Sequence, residues 1–163
     1  MQQKVVSLPE FSSARTIAGY VAKQDEVQTD QILRMALSMG KRVLVPKTNS
    51  STVSLSFHRI GDLGDLRPGT FGILEPAADA PQVPISQSDL VLIPVVAWDG
   101  EGHRVGYGKG YFDRELKSKG KAPGIGLAFE SQRQEVIPPE LTDVPLDMIV
   151  TEERVIRFRR LAN

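Results

Sequence analysis

Between positions 100 and 110 the chain places five of its 14 glycines, Gly100, Gly102, Gly106, Gly108 and Gly110, interleaved with Arg104 and Lys109 and followed by Asp113. These residue types suit an anion. Glycine lets backbone N–H groups come close to a ligand. Gly106, Gly108 and Gly110 alternate just ahead of a helical pattern, whose free N–H groups and positive dipole end favour phosphate. Arg104 offers a planar fork for phosphate oxygens, and Lys109 offers a mobile point charge. Asp113, in the first helical turn, suits a Mg²⁺ that shares those oxygens, because Mg²⁺ prefers one or two carboxylates plus phosphate and water. The common templates do not fit. A Walker A motif needs Ser or Thr after Gly-Lys, where this chain has Gly110, and the dinucleotide fingerprint needs a glycine near Phe112 or Asp113.

The elements that position these groups can be read from periodicity. Leu90 to Ala97 is an apolar run too short for a membrane span and right for a strand buried on both faces. After the glycines, Tyr111, Phe112 and Leu116 fall on one side of a helix, with Asp113, Arg114, Glu115 and Lys117 on the others. Upstream, Pro9 and Glu10 suit a first helical turn with Ser7 as its cap, and Phe11, Ala14, Ile17, Ala18 and Val21 predict an amphipathic helix reaching about Tyr20. Thr29 and Asp30 cap the next helix, in which Ile32, Leu33, Met35, Ala36 and Met39 are apolar and Gly40 is the stop; Met35 and Met39 read as core.

Arg42 to Val45 predicts a short buried strand ending at Pro46, and Val53, Leu55 and Phe57 a half-exposed one. His58 has no ligand-spaced partner and reads as a surface residue, and 61–69 reads as loop. Ile125 to Phe129 predicts a parallel strand in which Gly126 marks a close approach of backbone or ligand. A strand over 147–151 and a basic alternating edge over 155–160 complete the pattern. The alternation predicts a single α/β domain, three-layered α/β/α with a mainly parallel sheet, over residues 1–163. Ligands of such sheets lie beyond the carboxyl ends of the strands, where Trp98 to Gly110 projects.

The whole-chain balance narrows the function classes. With 163 residues, 40% hydrophobic, there is enough material for one core. Twenty basic and twenty acidic side chains leave no net charge, which predicts neither nucleic-acid nor membrane partners. The absence of cysteine excludes disulfides, thiolate metal sites and a cysteine nucleophile. No signal-peptide pattern opens the chain, so a cytoplasmic location is expected.

The run Pro94-Val95-Val96-Ala97-Trp98-Asp99, then Gly102-His103-Arg104-Val105-Gly106-Tyr107-Gly108-Lys109-Gly110-Tyr111-Phe112-Asp113-Arg114, resembles the signature of the 5-formyltetrahydrofolate cyclo-ligase family. Weaker features recur in order: Glu26 in QDEVQTD, the Gly40-Lys41 to Pro46 segment, Phe71 to Pro76, and Asp143-Val144-Pro145-Leu146-Asp147. The similarity runs from about Ser7 to Glu153.

That resemblance implies ATP-driven closure of 5-formyltetrahydrofolate to 5,10-methenyltetrahydrofolate with release of ADP and phosphate. It implies ATP contacts from Arg104 through Val105, Gly106, Tyr107, Gly108, Lys109, Gly110 and Tyr111 to Phe112, with Arg104 and Lys109 catalytic. Glu26 matches the glutamate that binds the pterin ring, and a carboxylate suits that ring because it accepts from both an N–H and an amine. Val21, Tyr107, Tyr111 and Trp98 are implied substrate contacts, and Glu75 is implied to face the site, with a salt bridge or a solvated turn an equal alternative; for the tyrosines the alternative is packing at the helix start. Mg²⁺ is implied at Asp113 and Asp143, although an aspartate before such a turn is more often a local cap.

The expected ligand is a small-molecule folate with one or more glutamates, bound by a monomer or homodimer. One departure accompanies the match. Family members usually begin with an additional basic helix that contacts ATP, ahead of where the resemblance starts here; either ATP is held without it, or another basic element, from the Arg157, Arg159 and Arg160 tail or a neighbouring subunit, replaces it. Two other readings stay open: a non-catalytic relative that binds nucleotide or folate, and an ATP-dependent enzyme acting on another amide-like substrate.

Overall fold

The computed structural model describes residues 1–23, 25–108, 110–141 and 143–158. Short helices α1 (Gln2–Val6) and α2 (Pro9–Ser13) lead into β1 (Thr16–Ala18); α3 (Asp30–Ser38) then leads to the hairpin of β2 (Arg42–Asn49) and β3 (Ser54–Ile60). A small antiparallel pair, β4 (Arg67–Pro68) and β5 (Leu74–Glu75), precedes β6 (Leu90–Pro94). A second small pair, β7 (Ala97–Trp98) and β8 (Arg104–Val105), is followed by α4 (Tyr111–Leu116), β9 (Gly124–Leu127), β10 (Met148–Val150) and β11 (Val155–Arg157).

The main sheet runs β11-β10-β9-β6-β1-β2-β3. From β10 to β2 every pairing is parallel, and antiparallel β11 and β3 form the edges. Alternate residues of each inner strand serve opposite faces. Ile17, Val43, Leu90, Leu92 and Ile125 join Phe11, Ile32, Leu33 and Ala36 of the helices on one face. Ala18, Leu44, Val91, Ile93 and Ile149 meet Leu116 of α4 and Trp98 on the other. The α/β class and the mainly parallel sheet are therefore as expected, and among the described residues no helix is long and apolar enough to cross a membrane.

Several local expectations are corrected. The helix predicted to reach Tyr20 stops at Ser13, where Ala14 turns extended, and Thr16 to Ala18 become a strand in the middle of the sheet. A strand buried on both faces shows no alternation, so spacing alone could not separate it from a helix; pairing with β2 on one side and β6 on the other decided it. Ser7 does not cap α2. Leu8 holds that position, and the Ser7 hydroxyl donates to the Gln3 carbonyl at 2.9 Å. Met35 and Met39 are exposed, not core: Met35 flanks the stripe of Ile32, Leu33 and Ala36, and Met39 is already the C-cap.

Strand β2 does not end at Pro46 but runs on to Asn49, paired there with β3 alone. A residue without an N–H is tolerated where one side of the strand is free. His58 is buried rather than on the surface. The connection from β5 to β6 covers it: Nδ1 meets the Ala80 carbonyl at 2.8 Å, Nε2 meets Ser56 Oγ at 2.9 Å, and Arg59 N–H donates to Pro81. The 61–69 loop carries a single 3-10 turn and β4.

Gly126 marks close packing of protein on protein. A Cβ there would lie 2.6 Å from Leu146 Cδ1 and 3.0 Å from Val95 Cγ2, both buried. Gly126→Ala is expected to destabilise by about 1–3 kcal/mol through overpacking. A urea unfolding curve checks this; an unchanged midpoint would mean that Leu146 repacks freely.

Candidate active site

The sheet delivers its ligand-facing loops to one end. Where β1 and β6 finish, a cavity of about 350 Å³ opens, walled by four segments of the chain. The turn after β1 contributes Tyr20, Val21, Lys23 and Glu26; the β2–β3 hairpin contributes Pro46, Thr48 and Leu55. Phe71, Ile73 and Glu75 form a third wall, and Pro94, Arg104, Gly106, Tyr107 and Gly110 to Asp113 a fourth.

The β1 turn is built to aim a carboxylate. Thr29 Oγ1 donates to the Tyr20 carbonyl at 2.6 Å, and the Tyr20 hydroxyl donates to the Val27 carbonyl at 2.8 Å, closing the loop on itself. Inside it the Lys23 N–H donates to Glu26 Oε2 at 2.7 Å. From across the cavity Tyr107 bonds the same carboxylate. Burial, then the negative charge of Glu26 and that hydrogen bond, raise the Tyr107 phenol above its ordinary value. Tyr20 is raised further by burial, with Glu26 and Tyr107 adding to it, so both phenols stay protonated donors at neutral pH. The Lys23 ammonium lies 4.7 Å from the Tyr107 ring centre and 5.9 Å from that of Phe71.

The third wall holds a second carboxylate. Glu75 is buried and accepts the Thr48 N–H at 3.0 Å. Gly69 clears a path for it, since a Cβ at that position would collide with the Glu75 side chain.

The fourth wall carries the glycines. Gly108 and Gly110 have φ of 84° and 65°, and Gly110 is the N-cap of α4. Arg104 is buried and held by Asp113: Nη1 donates to Oδ1 at 2.8 Å and to the Val144 carbonyl at 3.4 Å, while the Val144 N–H donates to the same Oδ1 at 3.3 Å. Among the described residues the buried Arg104 Nε has no hydrogen-bond partner. The wall thus presents a guanidinium with an unmet donor beside a carboxylate, a pair able to meet both an anion and its counter-cation.

A family model described as the 5-formyltetrahydrofolate cyclo-ligase family matches residues 1–152. The chain belongs to that family. A probable 5-formyltetrahydrofolate cyclo-ligase of Caenorhabditis elegans is 33% identical over 168 residues, spanning 96% of this chain and 82% of the relative. The 5-formyltetrahydrofolate cyclo-ligase of Escherichia coli strain K12 is 31% identical over 156 residues, spanning 93% and 86%. Among solved structures, the Aquifex aeolicus 5,10-methenyltetrahydrofolate synthetase superposes with a TM-score of 0.84 at 34% identity, covering 99% of this chain and 81% of its own. The Mycoplasma pneumoniae 5,10-methenyltetrahydrofolate synthetase does so with a TM-score of 0.70 at 26% identity, covering 91% and 80%.

Of the residues that the cyclo-ligase resemblance singled out, the fold gathers Val21, Glu26, Glu75, Arg104, Gly106, Tyr107, Gly110, Tyr111, Phe112 and Asp113 around one cavity. Others it places elsewhere. Trp98, expected against substrate, is fully buried in the core, with its indole N–H donating to the Phe129 carbonyl at 3.2 Å. Val105 and Gly108 are outside the lining. So is Asp143, whose carboxylate accepts the Glu140 N–H at 2.9 Å as a local cap, and the described residues hold no cluster of three metal-ligating side chains. Lys109, Arg159 and Arg160 lie outside the described residues. Arg157 is turned to Glu10, with Nη2 donating at 2.9 Å.

Sequence reading missed Tyr20, Lys23, Thr48 and Phe71 as wall residues. For Phe71 a signal existed: a large aromatic between Gly69 and Gly72 in a polar turn, here held at a φ of 57°. For Thr48 there was none, because it enters the wall only through the extension of β2 beyond Pro46.

Proposed function

We propose that this protein converts 5-formyltetrahydrofolate into 5,10-methenyltetrahydrofolate at the expense of ATP, releasing ADP and phosphate. The observation that carries this reading is the one cavity that joins a buried arginine, the glycine loop and the rings of Tyr107 and Tyr111 on one wall to a fixed carboxylate, Glu26, on another. A phosphate-bearing and a flat, hydrogen-bonding partner can meet there.

A formyl oxygen on nitrogen is a poor leaving group. Its attack on the terminal phosphorus of ATP breaks the bond to ADP and turns that oxygen into phosphate ester; N10 then bonds to the formyl carbon, the C–O bond breaks, phosphate departs with the oxygen, and N10 loses its proton. Such transfers need positioning and charge stabilisation more than a protein nucleophile. Arg104, fixed by Asp113, meets the charge that develops on the phosphoryl oxygens. Glu26 accepts from the ring N–H and amine of the pterin, with Val21, Tyr107 and Tyr111 against its faces.

The donor set fits Mg²⁺ through Asp113, which needs only one protein carboxylate if phosphate oxygens complete the shell. Asp143 would join only by giving up its cap on Glu140. When bound there, Mg²⁺ would neutralise phosphate charge.

The test is absorbance at the methenyltetrahydrofolate band after mixing protein, 5-formyltetrahydrofolate, Mg²⁺ and ATP. An ATP-dependent rise, absent when ATP is omitted, is the expected outcome. A flat trace with folate and ATP both binding by calorimetry would overturn the reading in favour of a non-catalytic relative.

A further inference from the structure

The Lys23 ammonium stands on the wall of the cavity, over the Tyr107 ring and near that of Phe71, and three residues before Glu26 in the same turn. Among the described residues no carboxylate pairs with it. Its backbone N–H is spent on the Glu26 carboxylate, which ties the position of one residue to the other. A strong acceptor and a strong donor are thereby held side by side, facing the same space.

That pairing matches an edge on which N–H donors and a carbonyl acceptor are adjacent. The pterin ring has one: its exocyclic amine, its N3–H and its 4-carbonyl follow one another, reading donor, donor, acceptor. A single carboxylate spans the first two. The third requires a donor next to that carboxylate, and Lys23 is placed to be it.

We propose that Lys23 is a specificity-determining residue whose ammonium donates to the 4-carbonyl of the ring read by Glu26, so that the site selects a 4-oxo ring over a 4-amino one. This rests on the functional reading above. When the ring N–H groups take the Glu26 carboxylate, the Tyr107 hydroxyl gives it up, and the Tyr107 face continues to support the ammonium from one side. A 4-amino ring would turn N–H groups toward the cation, and the contact becomes repulsive.

The experiment is calorimetric binding to the full chain of 5-formyltetrahydrofolate and of its 4-amino counterpart, for the wild type, Lys23→Met and Lys23→Arg. Methionine keeps the stem over the rings and removes the charge. The expected result is that K23M weakens the 4-oxo ligand about tenfold, the low end for a hydrogen bond to a charged group. The 4-amino ligand changes little, so the preference collapses, and K23R retains it. Equal weakening of both ligands would overturn the proposal and leave Lys23 as packing on Tyr107; so would no change in either. Wild-type binding of neither ligand would overturn the functional reading itself, a result distinct from binding without discrimination.

Discussion

Replacing Arg104 by alanine is expected to lower kcat about 100- to 1,000-fold, the loss typical when a fixed donor to developing transition-state charge is removed. The effect on stability should be smaller and of different origin. The guanidinium is 2% exposed and the Asp113 carboxylate 18%. Among the described residues, removing the arginine leaves that carboxylate with the Val144 N–H alone. An isolated buried charge costs several kcal/mol, but partial solvent access to Asp113 reduces this to about 1–3 kcal/mol. Arg104→Lys separates the two effects. Lysine keeps the charge and part of the stability, yet cannot hold Asp113 while offering Nε to a second partner, so turnover recovers less than about tenfold. Thermal melts and single-turnover rates on the three proteins, taken well below any melting transition, test this. An R104A protein that turns over within threefold of wild type removes Arg104 from the chemistry.

Asp99 should dominate stability as Arg104 dominates turnover. It is 2% exposed and lies outside the cavity lining, but it gathers the loop that carries Arg104. Oδ1 accepts the N–H groups of Glu101 at 2.9 Å and His103 at 3.0 Å; Oδ2 accepts the Ile137 N–H and meets His103 Nδ1, both at 3.0 Å. Burial pushes its carboxyl up, but the Ile137 N–H, the His103 ring and the His103 and Glu101 N–H groups together outweigh that and hold it below the usual aspartate range.

Asp99→Ala strands these donors and is expected to cost about 3 kcal/mol, or roughly 6–12 °C in Tm for a chain of this size. The pH dependence follows from the direction of the shift. A carboxyl with a depressed folded-state pKa contributes its full stability above its unfolded pKa and loses it as pH falls through the folded value. The gap between wild type and D99A should therefore be widest near neutrality and narrow below about pH 4. A gap that stays constant from pH 7 to pH 3 would show that the ionised carboxylate is not what the loop is built on.

Much of the architecture was legible because it rests on short-range pattern. Leu90 to Pro94 announced an inner strand by its apolar run, Val155 to Arg157 an edge by its alternation, and the five glycines before Tyr111 a ligand loop by local density. The spacing of Arg104, Gly106, Gly110 and Asp113 named one wall of the cavity. Other features depend on contacts that no local pattern encodes. Ile17 became a strand because β2 and β6 closed on it from both sides, and Trp98 went to the core because its indole found the Phe129 carbonyl. Lys23 reached the Tyr107 ring only when two loops 84 residues apart in the chain met at the end of the sheet. Residue type and spacing determined which groups could bind an anion and a flat ring. Strand order, through burial and hydrogen bonds made at long range, decided which of them share one cavity and which are held in the core.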